Sequence, residues 1–236
     1  MNLGSSVLRK KVFRPDQADA SDMLANSTAG GSVADDASGW NVSSAGAGSA
    51  HLHLGDKLFF NIDRLVDVEF LFKIDGLVDG AQTIEAGLIS AYNADLAVTA
   101  EHVLLRSNTA KVAGKGYEIE AFADDGTLDL NNEKTGKYIQ NGNWYRFHLG
   151  FKSAVQTISY PGDSKPGKSS IQYTITDDGS AVSRSFARKT PLMQRTAHLD
   201  MSNYAGGLQP VIGFVSTGSS VAMTVGEICV QYQQET

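Results

Sequence analysis

Alternation of apolar and polar residues with a period of two constrains this chain more than any other feature. In Val66–Ile74, the residues Val66, Val68, Phe70, Phe72 and Ile74 fall on one face, and Asp67, Glu69 and Lys73 on the other. That pattern fits a strand with one buried side and cannot sit on a helix without scattering its apolar residues around the axis. It recurs with Tyr145, Phe147, Leu149 and Phe151 against Trp144, Arg146 and His148, and with Ile171, Tyr173 and Ile175 against Gln172 and Thr174. Thr83–Tyr92, Tyr117–Ala123, Val155–Tyr160, Val182–Arg188, Val211–Val215 and Val221–Tyr232 are further expected strands. Gly226 splits the last one, and the apolar phase shifts across it, which predicts a bulge or bend. The segment Asn93–Arg106 reads either as a helical excursion or as two short strands.

The punctuation agrees with strands. Asp124-Asp125-Gly126 and Asp177-Asp178-Gly179 have turn chemistry, as does Asn141-Gly142-Asn143 before Trp144. Glycine supplies 24 of 236 residues and proline only 5, which favours many tight turns over proline-rich disorder. About ten strands without long intervening helices predict an all-β fold, an antiparallel jelly-roll β-sandwich over residues 51–236.

The first fifty residues read differently. Residues 1–14 hold Arg9, Lys10, Lys11 and Arg14 with no acid, in a chain whose formal charge is −6. From Pro15 to Ala50 every charge is negative, and 21 of the 36 residues are Ala, Ser or Gly. A stretch so poor in apolar area is expected to be an extended basic arm and linker, residues 1–50, reaching at most ~120 Å over its 36 linker residues. Trp40 inside it either docks back on the body or meets a partner.

Several chemistries are disfavoured. The net acidity argues against phosphate-driven nucleic-acid binding, and no apolar run approaches the ~18 residues of a membrane span. The start of the chain leads into charge, with no apolar run typical of a secretory signal. Cys229 is the only cysteine, so an intrachain disulfide and Cys-rich zinc sites are excluded; it reads as a small buried hydrophobe. His51-Leu52-His53, with Asp56, has too few defined ligands for a metal site and reads as two outward residues of a strand. Asp124, Asp125, Asp129 and Asn131 miss the calcium-loop order. Asp67 and Glu69, ~7 Å apart along a strand, are a conceivable glycosidase pair but stand on a polar face beside Lys73. Neither a nucleophile elbow nor a phosphate loop is present. No enzyme and no cofactor is therefore expected.

Binding chemistry is better represented. Trp144 with Asn141, Asn143, Arg146 and His148 offers an aromatic ring and hydrogen-bonding groups to a sugar; the competing reading makes Trp144 a cover for the sandwich edge and the asparagines turn residues.

The run Asn141–Leu149, the Asp177-Asp178-Gly179 motif, Pro210–Phe214 and the closing strand Glu227–Val230 together resemble the strand order of concanavalin-A-like and laminin-G-like jelly rolls. The whole chain, a basic arm and small-residue linker ahead of a jelly roll, also resembles accessory structural proteins of tailed-phage virions. That second resemblance implies capsid decoration or cementing, or a tail role, in a virion assembled in the host cytoplasm. Its partner would be the major capsid or another virion protein held through Arg9, Lys10, Lys11, Arg14 and Trp40, in a homo-oligomer of the trimeric kind. The first resemblance supports the alternative, a carbohydrate-binding, lectin-like module.

Overall fold

In a computed structural model of the protein, residues 6–17, 22–28, 30–36, 38–55, 58–96, 101–127, 129–151, 171–179 and 193–235 are described. They form sixteen strands: β1 (Ser6–Phe13), β2 (Leu24–Thr28), β3 (Gly31–Asp36), β4 (Gly39–Ser44), β5 (Gly48–His53), β6 (Phe60–Asn61), β7 (Leu65–Gly76), β8 (Gln82–Ile89), β9 (Glu101–Val112), β10 (Gly116–Asp125), β11 (Asp129–Ile139), β12 (Trp144–Gly150), β13 (Ile171–Gly179), β14 (Met193–Leu199), β15 (Gly207–Ser216) and β16 (Val221–Glu235). A 3-10 turn, Ile62–Arg64, precedes β7. The expected strands Val155–Tyr160 and Val182–Arg188 lie outside the described residues.

Two antiparallel sheets result, the jelly-roll sandwich that the alternation predicts. Sheet A runs β14-β13-β12-β7-β16-β4-β3, with β1 also pairing β16. Sheet B runs β11-β10-β9-β8-β15-β5-β2, with β6 on β15. The inward rows of the two sheets meet in one core. Phe70, Phe72, Tyr145, Phe147 and Tyr173 come from sheet A, and Leu52, Ile84, Ile212 and Phe214 from sheet B, all essentially unexposed. Each such side chain contributes about 1.5–3 kcal/mol by leaving water. Phe72 and Phe147 pack edge to face at 4.8 Å between ring centres. The Tyr145 hydroxyl accepts from the Gln140 N–H at 2.8 Å, so the phenol enters the core with its polar end satisfied.

Gly226 does mark a bulge. Val225 pairs Phe72 and Glu227 pairs Leu71, leaving Gly226 unmatched. A side chain there would press on the Trp144 ring at 3.1 Å.

The first fifty residues differ from the expected arm and linker. Residues Ser6–Phe13 are extended, but in register with β16 from Ser6↔Glu235 to Phe13↔Ile228. The linker stretch supplies β2, β3, β4 and half of β5, so the boundary expected at residue 51 falls inside a strand. Trp40 is 4% exposed and docks back on the body; Val42 and Phe13 are fully buried. The small residues that suggest disorder permit close strand contact. A Cβ at Gly31 would strike the Ser49 carbonyl, and one at Gly39 the Val225 carbonyl. Serine and threonine pair across strands, Thr28 with Ser49 at 2.9 Å and Ser32 with Ser43 at 3.0 Å. Few large apolar residues are needed because β2 and β3 are largely exposed and only β4 and β5 bury side chains.

Candidate ligand-binding face

Around β8, β9, β10 and β15 part of sheet B is buried on both sides. Ala86, Leu88, Leu105 and Ile212 point into the sandwich core, while their outward neighbours Ile89, Leu104, Phe122 and Val211 form a second apolar cluster with Leu96. Tyr92 packs on this cluster, so the segment after β8 lies across part of the outer face.

Beside that cover, strand register lines up a polar row. Glu120 on β10 is opposite Arg106 on β9, Arg106 is opposite Glu85 on β8, and Glu85 is opposite Gly213 on β15. Gly213 is opposite His51 on β5, and His51 opposite Asn26 on β2. Glu85 and His51 have no exposed surface although they stand on the outer face. An unpaired carboxylate there would be prohibitively costly. Arg106 Nη2 meets Glu85 Oε1 at 2.7 Å, and His51 Nε2 lies 3.4 Å from Glu85 Oε2. The Arg106 guanidinium also sits 5.1 Å from the centre of the Phe122 ring. Asn108 Nδ2 donates to Glu120 Oε1 at 3.1 Å.

Tyr92 walls the row at one end. Its ring stacks on His53 at 4.0 Å and 6°, and its hydroxyl is 3.3 Å from His51 Nδ1. Burial first, and the Glu85 charge second, push the Tyr92 phenol above its ordinary pKa of 10.0, so it remains a neutral donor. Away from Tyr92 the face opens. Thr83, Asn108 and Val215 are half-buried, and Thr28 is exposed. Register places Val215 between Thr83 and Ser49, and Ser49 opposite Thr28. The strip therefore presents hydroxyls, the edge of a guanidinium, one apolar patch and the second N–H of the Asn108 amide, whose Oδ1 accepts from the Ala110 N–H at 3.0 Å.

The sugar-site residues expected from sequence are not assembled into a free site. Asn141 is spent on the backbone, its Oδ1 accepting from Leu77 N at 2.9 Å and its Nδ2 donating to Leu77 O at 3.1 Å. Asn143 donates to Asp177 at 3.2 Å. Trp144 is 8% exposed and covers Gly226, the edge-cover reading. Arg146 and His148 project from the outer face of sheet A. Arg146 donates to Asp178 and Glu69, each at 2.8 Å, and His148 meets Asp67. Burial works against the Arg146 charge, but the hydrogen bond to Asp178 and the Glu69 charge outweigh it and raise its pKa. Asp67 and Glu69 are thus ion-pair partners on this face.

The basic residues of the expected arm are also placed. Lys11 pairs Asp22 at 2.6 Å, Arg14 pairs Glu227, and Arg9 donates to Gln234 at 3.2 Å. Lys10 lies on β1 between Arg9 and Lys11. Cys229 is buried on β16; desolvation above all, with the nearby Glu227, Glu69 and Asp67, pushes its thiol up to about 11.

Three solved structures place this geometry. The metal-free carbohydrate recognition domain of Emp46p aligns over 92% of this chain and 90% of its own, with 13% identity and a TM-score of 0.55. Peanut lectin with a nine-residue peptide aligns over 98% and 100%, with 8% identity and a TM-score of 0.55. The Crh5 transglycosylase in complex with NAG aligns over 94% and 83%, with 11% identity and a TM-score of 0.55. The chain has the fold of these jelly rolls. No family model matches it, and neither does any curated protein.

The sheet B row was only partly foreshadowed. His51 and His53 stand out in sequence as outward strand residues, whereas Glu85 and Arg106 are single charges inside mainly apolar strands. Their meeting depends on register, which composition does not encode. Asp56 lies outside the described residues. Among the described residues, no group of three or more His, Cys, Asp or Glu could hold a metal ion.

Proposed function

We propose that the protein is a carbohydrate-binding, lectin-like module whose ligand lies on the open strip of sheet B beyond the Tyr92 wall. The observation that carries this reading is the partly exposed Arg106, fixed from beneath by the buried Glu85 and standing on the outer face of the sheet beside the half-buried Thr83 and Asn108. Such an array fits a polyol, whose hydroxyls both donate and accept. It needs no rearrangement to do so, because the ion pair and the Tyr92–His53 stack already hold the side chains in place. The shared fold with a carbohydrate recognition domain and with peanut lectin supports the reading. The virion-anchoring reading depends on a free basic arm, and the pairing of β1 along β16 leaves it little to stand on.

Binding is favoured over hydrolysis. A general acid must reach the bond it protonates, and Glu85 has no exposed surface, its two oxygens facing Arg106 and His51. The test is a glycan screen followed by calorimetry. Thr83→Ala and Asn108→Ala are expected to weaken binding of any glycan hit at least tenfold, with unchanged unfolding midpoints. Full affinity in both variants, or no binding across the screen, would overturn the proposal.

A further inference from the structure

Two buried carboxylates on the outer face of sheet B flank one guanidinium. Glu85 on β8 has no exposed surface and Glu120 on β10 is 9% exposed, and register sets Arg106 on β9 opposite both. Arg106 is committed to Glu85 at 2.7 Å, while Glu120 accepts from the Asn108 amide at 3.1 Å. The Glu120 charge thus has a neutral partner. On its other side, β11 sets Lys134 opposite Glu120, but that side chain is 67% exposed and its Nζ lies 3.9 Å from Glu118 Oε2. One more cation inside the row would give each buried carboxylate its own counter-charge, the condition under which such groups are least costly.

His51 can supply it. Its ring has no exposed surface and lies over Gly213, where a Cβ would stand 2.6 Å from His51 Cδ2. Without a side chain on β15 at that point, the imidazole spans the strand and reaches Glu85 on the next one. Nε2 is 3.4 Å from Glu85 Oε2, and Nδ1 is 3.3 Å from the Tyr92 hydroxyl. Both separations are long for hydrogen bonds between such groups. Among the described residues, the titratable and charged groups facing His51 are Glu85 on β8, Arg106 beyond it on β9, Tyr92 after β8, and His53 on its own strand, stacked on Tyr92. Its neighbours in register, Asn26 on β2 and Gly213 on β15, are uncharged. Glu85 is the one negative group in that set, and Arg106 the fixed positive one.

Imidazoles change charge between pH 5 and 8. Once His51 takes a proton, its Nε2–H becomes a charge-assisted donor to Glu85, and two cations meet at one carboxylate. Arg106 has a second station: Glu120 stands opposite it, and the Phe122 ring already lies 5.1 Å from the guanidinium. After the exchange, His51 neutralises Glu85 and Arg106 neutralises Glu120. The Asn108 amide is then displaced from Glu120 and loses the bond that orients it.

We propose that His51 is an acid-sensitive positioning residue that sets the pH at which the sheet B strip is assembled. With His51 neutral, Arg106 stays on Glu85 and Asn108 on Glu120, the arrangement that presents the strip to a ligand. With His51 protonated, Arg106 moves toward Glu120 and the preformed donors are lost. The proposal rests on the reading of this strip as the ligand site, but the exchange itself takes place without ligand. By linkage, a ligand that prefers the neutral form shifts the His51 titration to lower pH.

The test follows the ring nitrogens of His51, the Arg106 Nε–H and the Asn108 side-chain amide of the full chain by NMR from pH 8 to pH 4.5, and measures cellotriose binding by calorimetry at pH 7.5 and pH 5.0. The Arg106 and Asn108 signals are expected to move with the His51 midpoint, and cellotriose to bind about fivefold more weakly at pH 5.0 and to lower that midpoint. His51→Gln should flatten the Arg106 signal and bring the affinity ratio between the two pH values to within about twofold, whereas His148→Gln on sheet A should keep both responses. Glu120→Gln removes the second station, so Arg106 should no longer follow His51; this variant carries the test if His51→Gln fails to fold. The proposal is overturned if His51 takes no proton above pH 4.5, if it titrates while Arg106 and Asn108 stay fixed, if the coupling survives Glu120→Gln, or if cellotriose binds equally at both pH values. If cellotriose binds at neither, the ligand-free titration decides alone. An absence of binding across the glycan screen, with the exchange observed, refutes only the previous section.

Discussion

Replacing Arg106 with Met tests whether the polar row on sheet B is a dry ion pair or a solvated one. Glu85 is fully buried, whereas the Arg106 side chain is 20% exposed, and their atoms meet at 2.7 Å. At an effective dielectric of ~20, that contact is worth about 6 kcal/mol of Coulomb attraction. Arg106→Met removes it and leaves the carboxylate in place. Losing one partner of a buried pair costs ~3–5 kcal/mol, and His51 at 3.4 Å remains as a weaker partner, so about 3 kcal/mol is expected. For a chain of this size, each kcal/mol moves the midpoint by roughly 2–4 °C, which gives about 6–12 °C. The reciprocal change, Glu85→Met, should cost less, because Arg106 can turn its partly exposed head to water. The double variant should be more stable than Arg106→Met alone, since no buried charge is left over. Denaturant unfolding of the four proteins at pH 7 measures the cycle. A loss below ~1 kcal/mol in Arg106→Met would mean that water reaches Glu85, as at a surface pair, and the preformed row would lose its basis.

Three further outcomes follow from the same geometry. Trp40→Ala should destabilise by about 3–5 kcal/mol in denaturant unfolding, the cost of emptying a core site, whereas a tail residue would cost nothing. Gly87→Ala should prevent β8 from pairing β9 normally, because a Cβ there strikes the Val103 carbonyl; a soluble variant with wild-type stability would contradict the register. Cys229 has its folded pKa raised to about 11 from an ordinary 9.0, so the folded state holds the proton more tightly. The stabilisation is complete below about pH 9 and is lost as pH rises toward about 11, a loss of about 2–3 kcal/mol that Cys229→Ala should abolish; parallel pH–stability curves for the two proteins would refute it.

The strands of the body were legible because their alternation is strong. Val66–Ile74 and Trp144–Phe151 carry five and four apolar residues in phase, and turning them over would expose the whole set. The Gly226 bulge was legible for the same reason, as a phase slip. Residues 15–50 were not legible as strands, since Gly31, Gly39 and the serines answer to close backbone contacts made with segments far along the chain. The site was less legible still. Trp144, Arg146 and His148 are conspicuous in sequence, yet Trp144 is buried over Gly226 and the other two are consumed by Glu69, Asp178 and Asp67. Glu85 and Arg106 are inconspicuous and become a pair only when β8 and β9 align. Chemistry visible along one strand was a poor guide to chemistry assembled across several.

Mapping a neutral glycan onto the protein by amide chemical shifts tests the central claim most directly. The account predicts saturable shifts at Thr83, Arg106, Asn108 and Tyr92 on sheet B. Shifts confined to Trp144, Arg146 and His148 on sheet A, or none with any glycan, would contradict it.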